Sequence, residues 1–265
     1  MQKKFIRAAV AKCFIYLLKR IQYQSSSSIH FKPLLLLMPQ ANTYIIVPAY
    51  NELDMLRPTV SSLLKTGYTV VVVDDGSDAD TSTLLYDLQV HILRHRVNLG
   101  QGAALQTGNS YALQNGAEII VHFDSDGQHR TSDIETLVAP ILSNEFDVTL
   151  GSRFLMNPKP ANISFMRTLV LHAARYLNFL FTGLLLTDAH NGLRAMNKHA
   201  AQQLILTENR MAHASEVLFL LKKNKLRFKE VPVTIDYTLY SKQKGQSSLN
   251  SIRIFFDLLL HKLFE

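Results

Sequence analysis

The chain has 265 residues, 47% of them hydrophobic, which suits one large domain or a domain with attachments. Its 28 basic residues outnumber 21 acidic ones, and the resulting charge of +7 calls for an anionic partner: phosphate, membrane lipid or nucleic acid. A lone cysteine, Cys13, rules out an intramolecular disulfide and fits a reducing compartment, and neither zinc-finger spacing nor the aromatic–basic interleaving of RNA binders is present, so nucleic acid is not an expected partner.

The positive charge clusters in 1–20 and again in 222–244. Residues 1–23 mix Lys3, Lys4, Arg7, Lys12, Lys19 and Arg20 with Phe5, Ile6, Val10, Phe14, Leu17 and Leu18 at helical spacing. Two readings stand: a basic amphipathic helix lying on an anionic membrane, or a helix packed on the domain. The uncharged runs fall short of the ~20 residues that span a bilayer, and no small-x-small cleavage site follows. The serines at 25–28 read as a linker, so 1–41 is treated as an extension and 42–264 as the folded domain.

That domain alternates strands and helices. A strand over 44–47, ended by Pro48, leads through Ala49-Tyr50-Asn51-Glu52 to a helix over 55–65. A β-branched strand over 69–73 closes on Asp74-Asp75-Gly76-Ser77, followed by a helix over 80–88 and a strand over 90–93. Asn98-Leu99-Gly100-Gln101-Gly102 opens a helix reaching 115. The central strand, from Ala117, stops at Asp124-Ser125-Asp126-Gly127-Gln128. A helix over 132–142, a strand over 147–150 and Gly151-Ser152-Arg153 complete the first half. This alternation predicts an α/β fold with a doubly wound, mostly parallel sheet. Further on, the apolar run 165–186 is interrupted by Arg167 and Arg175, which argues against a membrane span. A polar loop from Asp188, a helix over 212–223 with Glu216, an edge strand over 226–235, a basic segment over 237–248 and an amphipathic helix over 249–264 complete the chain.

Asp124 and Asp126 sit two apart at a strand's carboxyl end, so they lean the same way, at the edge where open α/β sheets bind ligands. Hard oxygen ligands at this spacing suit Mg²⁺ or Mn²⁺ carrying a substrate's phosphates. Gly100 and Gly102 imitate a dinucleotide fingerprint, but Leu105 stands in place of the third glycine, and the stretch reads as a tight helix start. His122, His129, His190 and His213 have no zinc spacing, the His213-x-x-Glu216 pair reads as a helix face, and Tyr111 and Phe219 read as core.

Taken together, Pro48-Ala-Tyr-Asn-Glu52, Val73-Asp-Asp-Gly-Ser77, Asn98-Leu-Gly-Gln-Gly-Ala103, Asp124-Ser-Asp-Gly-Gln128, Gly151-Ser-Arg153 and the stretch from Asp188 to Ala195 resemble the inverting family 2 glycosyltransferases of the GT-A fold. Within that family they are most similar to the branch containing dolichol-phosphate mannose synthase and other polyprenyl-phosphate sugar transferases. The resemblance implies a nucleotide-sugar-binding half over 42–153, an acceptor-side half over 154–248 and an amphipathic helix over 249–264. It implies that Pro48, Tyr50 and Glu52 hold the nucleotide, and that Asp75 pairs with its base beside Val73. Asp124, Ser125, Asp126 and Gln128 would gather the diphosphate, with Asp124, Asp126 and Gln128 on Mg²⁺ or Mn²⁺, and Lys242 and Lys244 would close over it. The family's final lysine is missing from that basic loop, where Ser248 stands, and its Gly-Phe-Arg appears as Gly192-Leu193-Arg194.

The implied reaction breaks the bond from sugar C1 to a nucleoside diphosphate, and a divalent ion plus a cation stabilise the departing charge. A phosphate acceptor is already anionic and needs no base; a hydroxyl acceptor needs one within hydrogen-bond reach. Asp188 is the first candidate base and Glu216 the second, set against structural roles in which Asp188 caps a loop and Glu216 pairs with Arg194. Arg153 either meets the acceptor's phosphate or ties its loop to Asp147. The expected protein is a peripheral enzyme on the cytoplasmic face of a membrane, anchored by its terminal helices. Its expected partners are a UDP- or GDP-sugar donor, a lipid-linked acceptor of surface polysaccharide or glycolipid assembly and, as a candidate, a small membrane protein. A sugar nucleotidyltransferase and a non-catalytic sugar-nucleotide scaffold are the alternatives.

Overall fold

A computed structural model describes residues 42–155, 179, 183–188 and 191–236. The segments 1–41 and 237–265, on which both expected terminal helices, Lys242 and Lys244 fall, lie outside the described residues, as does most of 165–186.

Seven strands form one sheet in the order β3-β2-β1-β4-β6-β5-β7: β1 Thr43–Ala49, β2 Thr69–Asp74, β3 His91–Arg94, β4 Ile119–His122, β5 Val148–Ser152, β6 Arg194–Asn197 and β7 Phe228–Pro232. All neighbours pair in parallel except β6, which runs antiparallel to both β4 and β5. The doubly wound expectation thus holds, with one reversed strand. The parallel strands are apolar on both faces because helices cover both. Ile46, Val71, Val73 and Ile120 enter one core with α3 (Gln101–Gln114) and α6 (His213–Lys223). Their neighbours Ile45, Val47, Val70, Val72, Ile119 and Val121 enter the other, with α1 (Leu53–Leu64) and α4 (Asp133–Leu142).

Three local expectations are corrected. β1 continues through Pro48 to Ala49. The Ile46 carbonyl accepts from Phe123 N on the β4 side at 3.0 Å, and Pro48, two residues on, faces that same edge beyond the last β4 partner. Its missing N–H therefore removes no ladder bond. The helix expected over 80–88 shrinks to α2, Thr81–Leu84, capped by the Asp80 carboxylate on Ser82 N at 2.9 Å. Thr81, Ser82 and Thr83 are weak helix formers, and Asp87 is held outside by a fork of bonds from Arg57 at 2.6–2.7 Å. A helix absent from the sequence reading, α5 (Lys198–Gln203), starts where the Asn197 side chain accepts from Ala200 N at 2.8 Å. Phe219, expected in the core, is 38% exposed, whereas Tyr111 packs against it. β7 is the edge strand that Pro232 signalled.

Candidate active site

The carboxyl ends of β1, β2 and β4 lie side by side in the sheet, which brings together loops distant in sequence. After β1 the chain turns at Asn51 with a positive φ of 53°. The Asn51 side chain is exchanged with the loop after β2: its Nδ2 donates to Asp78 and its Oδ1 accepts from Asp78 N, while Asn51 N donates to Ser77 Oγ at 3.0 Å. This double link sets Tyr50, 45% exposed, and the half-buried Glu52 at the sheet edge, where Glu52 opens α1.

Asp74 and Asp75 end β2 and are both buried. One Asp75 oxygen accepts from Leu99 N at 2.9 Å and meets His95 Nδ1 at 2.7 Å; the other accepts from Gly100 N at 2.7 Å. The structure thus gives Asp75 a task the sequence reading did not include: it anchors the start of α3. Val73 is fully buried in the core, so its side chain offers no surface to a ligand. The tight-start reading of Gly100 holds: its φ is 110°, and a Cβ there would meet Asn209 O at 2.3 Å.

The Asp-x-Asp pair follows β4. Asp124 Oδ1 accepts from Gln101 Nε2 at 3.0 Å, and Oδ2 accepts from His129 Nε2 at 3.1 Å. Asp126 is held by its own loop: Gln128 N donates at 3.1 Å and Gln128 Nε2 at 2.7 Å. The two carboxyls also differ in electrostatics. Burial pushes Asp126 above the ordinary carboxylate value, and the negative charges of Asp124 and Glu52 push it the same way. Burial also acts upward on Asp124, but the hydrogen bond and charge of His129, with Arg194 and His213, bring it below the ordinary value. Beneath Asp124, burial lowers Arg194 to about 10 and His213 to about 4, and holds His122 well below its usual range, where its Nε2 meets Asn109 Oδ1 at 2.8 Å. His122, His129 and His213 therefore line the underside of the site rather than a zinc centre. No spacing rule pointed to them; the only sequence signal was the polarity of His122 within an apolar strand.

Among the described residues no three His, Cys, Asp or Glu side chains group closely enough to hold a metal by themselves. The donor set nonetheless fits a hard divalent ion that draws its remaining ligands from a diphosphate, since Asp126 is crowded by like charge and offers oxygen. The Asp-x-Asp loop is also tied to the chain beyond β7: His129 bridges Ile235, Asp236 N donates to Gln128 O at 2.8 Å, and Arg130 forks onto Asp236 at 2.7 and 2.8 Å. A hollow of about 400 Å³ abuts the loop from the α1 side, between Met55, Thr59, Phe123, Gly127 and His129; Glu52, Asp124 and Asp126 do not line it. Ser125 is buried, with its carbonyl facing the Thr59 hydroxyl at 3.4 Å.

A second group gathers at the ends of β5 and β7. Arg153 donates from Nε to Asp188 Oδ2 at 2.6 Å and from its backbone N at 3.1 Å. Glu230 accepts from Thr187 N, Thr187 Oγ1 and Asp188 N at 2.8–2.9 Å, fixing that loop. Two expectations change here. Arg153 is tied to Asp188; Asp147 is instead taken by Arg227 at 2.8 and 3.0 Å. The Asp188 carboxylate is inward: Oδ2 accepts from Arg153, and Oδ1 is buried without a hydrogen-bond partner among the described residues. Glu216 turns to its own loop rather than to Arg194: its carboxylate accepts from Thr207 N, the Thr207 hydroxyl and Glu208 N, closing the loop before α6.

A mixed seven-stranded sheet with an acidic pair at the end of a central strand is the GT-A architecture of glycosyltransferases that act on nucleotide sugars. The chain belongs to glycosyl transferase family 2, whose profile it matches over residues 44–205, and is an enzyme of that class. It is 37% identical over 224 residues to an uncharacterised protein of Methanocaldococcus jannaschii, spanning 83% of this chain and 92% of the relative. It is 34% identical over 241 residues to a UDP-N-acetylglucosamine–dolichyl-phosphate N-acetylglucosaminyltransferase of Methanococcus voltae, spanning 83% and 96%. In fold it is similar to glucosyl-3-phosphoglycerate synthase of Mycobacterium tuberculosis, solved with Mn²⁺, UDP and phosphoglyceric acid, with a TM-score of 0.62 at 16% identity over 84% of this chain and 78% of that one.

Proposed function

We propose that this glycosyltransferase moves a sugar, with inversion, from a UDP- or GDP-sugar to a lipid-linked phosphate such as a polyprenyl phosphate, using Mg²⁺ or Mn²⁺. The observation that carries the reading is the placement of Asp124 and Asp126 at the carboxyl end of β4, beside the β1 end that leads to Glu52, a set of carboxylates whose charge a divalent cation would balance. When bound, the ion withdraws charge from the leaving diphosphate. Asp124, Asp126 and Gln128 would hold it, and Pro48, Tyr50 and Glu52 would border the nucleotide. The bond from C1 to the diphosphate oxygen breaks as a bond from C1 to the acceptor oxygen forms.

The acceptor class rests on two supports. The Methanococcus voltae relative carries dolichyl phosphate in its name. The inward-facing Asp188 provides no base, and a phosphate acceptor needs none. Asp188 instead steadies Arg153, a guanidinium suited to an acceptor phosphate. Lys242 and Lys244 would close on the departing diphosphate. The 42–153 half would take the donor and the 154–248 half the acceptor. Residues 1–23 and 249–264 would rest on the cytoplasmic face of the membrane, with a small membrane protein as a further candidate partner. Among the described residues no helix is long and apolar enough to cross a membrane.

The test is a thermal-shift screen of UDP-glucose, UDP-galactose, UDP-GlcNAc, GDP-mannose and dTDP-rhamnose with and without Mn²⁺, followed by transfer to a polyprenyl phosphate and to the matching alcohol. Stabilisation by one donor with Mn²⁺, and transfer to the phosphate alone, is expected. Equal transfer to the alcohol would overturn the acceptor assignment, and metal-independent turnover would overturn the ion.

A further inference from the structure

We propose that the Asn98–Ala103 turn and His129 form a brace that fixes Asp124, with Gln101 and His129 as positioning residues of the donor site. The inference rests on the reading of Asp124 and Asp126 as the carboxylates that face metal and diphosphate. An ionised carboxylate only accepts, so both contacts to Asp124 are donated, by the Gln101 amide and by a hydrogen on His129 Nε2. Each oxygen takes one such donor and keeps a lone pair for a further ligand, and the Asp124 side chain is still 29% exposed.

Neither donor is free to drift. Gln101 is the first residue of α3, and the two residues before it are pinned by their backbone N–H groups to Asp75. The same turn is pressed against the 208–210 loop, with Ala103 N on Asn209 O at 3.1 Å and no room for a Cβ at Gly100 or Gly102. His129 is 5% exposed, meets the Phe123 ring edge-on at 5.6 Å, and is bridged through its backbone to Ile235. Gly192 closes the remaining side: a Cβ there would lie 2.4 Å from Asp124 Oδ2. The glycine-rich turn that imitates a dinucleotide fingerprint thus has a different use. It carries the position of Asp75, at the end of β2, to Asp124, at the end of β4, across the intervening β1. Asp126, bonded to Gln128 in its own loop, is left to adjust when a ligand arrives.

The test uses the full chain and reads Mn²⁺ affinity in the presence of UDP from the spin-resonance signal of free Mn²⁺, alongside kcat, KM and melting temperature. Gln101→Leu and His129→Phe keep bulk but remove the donor, and each is expected to weaken Mn²⁺ binding by about 10–100-fold, the usual effect of losing a group that orients a metal ligand. His129→Gln keeps a donor and is expected to stay close to wild type, a rescue that a purely packing role would not produce. Should Gln101→Leu fold poorly, Gln101→Asn, whose amide falls short of Asp124, is expected to show the same loss. Wild-type Mn²⁺ affinity in these donor-free variants would overturn the brace alone. Absence of Mn²⁺ binding by the wild-type chain would overturn the metal reading and the brace with it.

Discussion

The two polar groups at the carboxyl edge of the sheet are built on opposite electrical plans. At β5 and β7, each carboxylate has a donor of its own: Asp188 has Arg153, and Glu230 has the Thr187 hydroxyl and two backbone N–H groups. At β1 and β4, burial and the charges of Asp124 and Glu52 push Asp126 up, while His129 and Arg194 bring Asp124 down. The first group is closed within the folded chain and holds a guanidinium still. The second gathers carboxylates, whose charge a divalent cation would balance. A guanidinium steadied by its own carboxylate is suited to an anion; a cluster of carboxylates needs a cation before a diphosphate can approach it.

The harshest way to break this contrast is to neutralise one of these carboxylates. Asp126→Asn is expected to abolish turnover and the Mn²⁺-dependent part of the donor-induced thermal shift, while the protein without ligand melts no lower than wild type, because a crowded carboxylate has been neutralised. Turnover at the wild-type rate in this variant would remove Asp126 from the site.

The balanced side responds differently. Asp188→Asn leaves Arg153, whose side chain is 10% exposed, without its carboxylate, and breaking such a buried pair costs about 3–5 kcal/mol of stability. Activity is expected to fall through a raised KM for the acceptor, with the shape of the pH–rate profile unchanged. Loss of the basic limb of that profile, with KM unaltered, would return Asp188 to the role of base.

A gentler probe reaches the layer beneath Asp124. His213 is kept neutral, with burial lowering its pKa to about 4. The unfolded chain therefore binds its proton first: the stabilising effect is whole above about pH 6.5, declines as pH falls, and is gone below about 4. Wild-type unfolding free energy, measured by denaturant titration, is expected to drop by up to about 3 kcal/mol across that window from this group alone. His213→Gln is expected to flatten the slope there, leaving the loss below about pH 4 that arises from Asp147, whose hydrogen bonds from Arg227 hold it at about 2. An unchanged slope in the variant would show that His213 is not the buried neutral group.

How far the sequence exposed these two plans follows from what kind of signal each residue leaves. β-branched runs closing on Asp-Asp-Gly or Asp-x-Asp mark strand ends because the pattern is local, and β2 and β4 with their acidic tips were legible for that reason. Gln101 and His129 were not, because what distinguishes them is a contact with Asp124 from 23 and 5 residues away. Asp75 was visible as a polar tip, but the Leu99 and Gly100 N–H groups that fill it come from a turn that no periodicity places there. Pairing of charges failed for the same reason: Arg153 has Asp147 near in sequence and Asp188 near in space. The reversed β6 was equally hidden, since a short strand after a loop carries no mark of its direction.

The smallest expected effect concerns Glu216, which separates a residue that serves the fold from one that serves the reaction. Its two oxygens take the Thr207 N–H, the Thr207 hydroxyl and the Glu208 N–H, so the loop entering α6 is closed by a charge-assisted cluster on a half-exposed surface. Glu216→Gln keeps one acceptor oxygen and turns the other position into a donor, which faces N–H groups it cannot bond. Hydrogen bonds to a charged group each contribute about 1.5–3 kcal/mol when well shielded, and exposure here brings the expected loss to about 1 kcal/mol. Glu216→Ala removes both acceptors and is expected to lose about twice that. In both variants kcat should stay within twofold of wild type under conditions where the protein is folded, since the carboxylate is spent on Thr207 and Glu208. A drop in kcat of ten times or more, with the melting temperature preserved, would instead place Glu216 beside Asp126 among the groups whose charge the reaction uses.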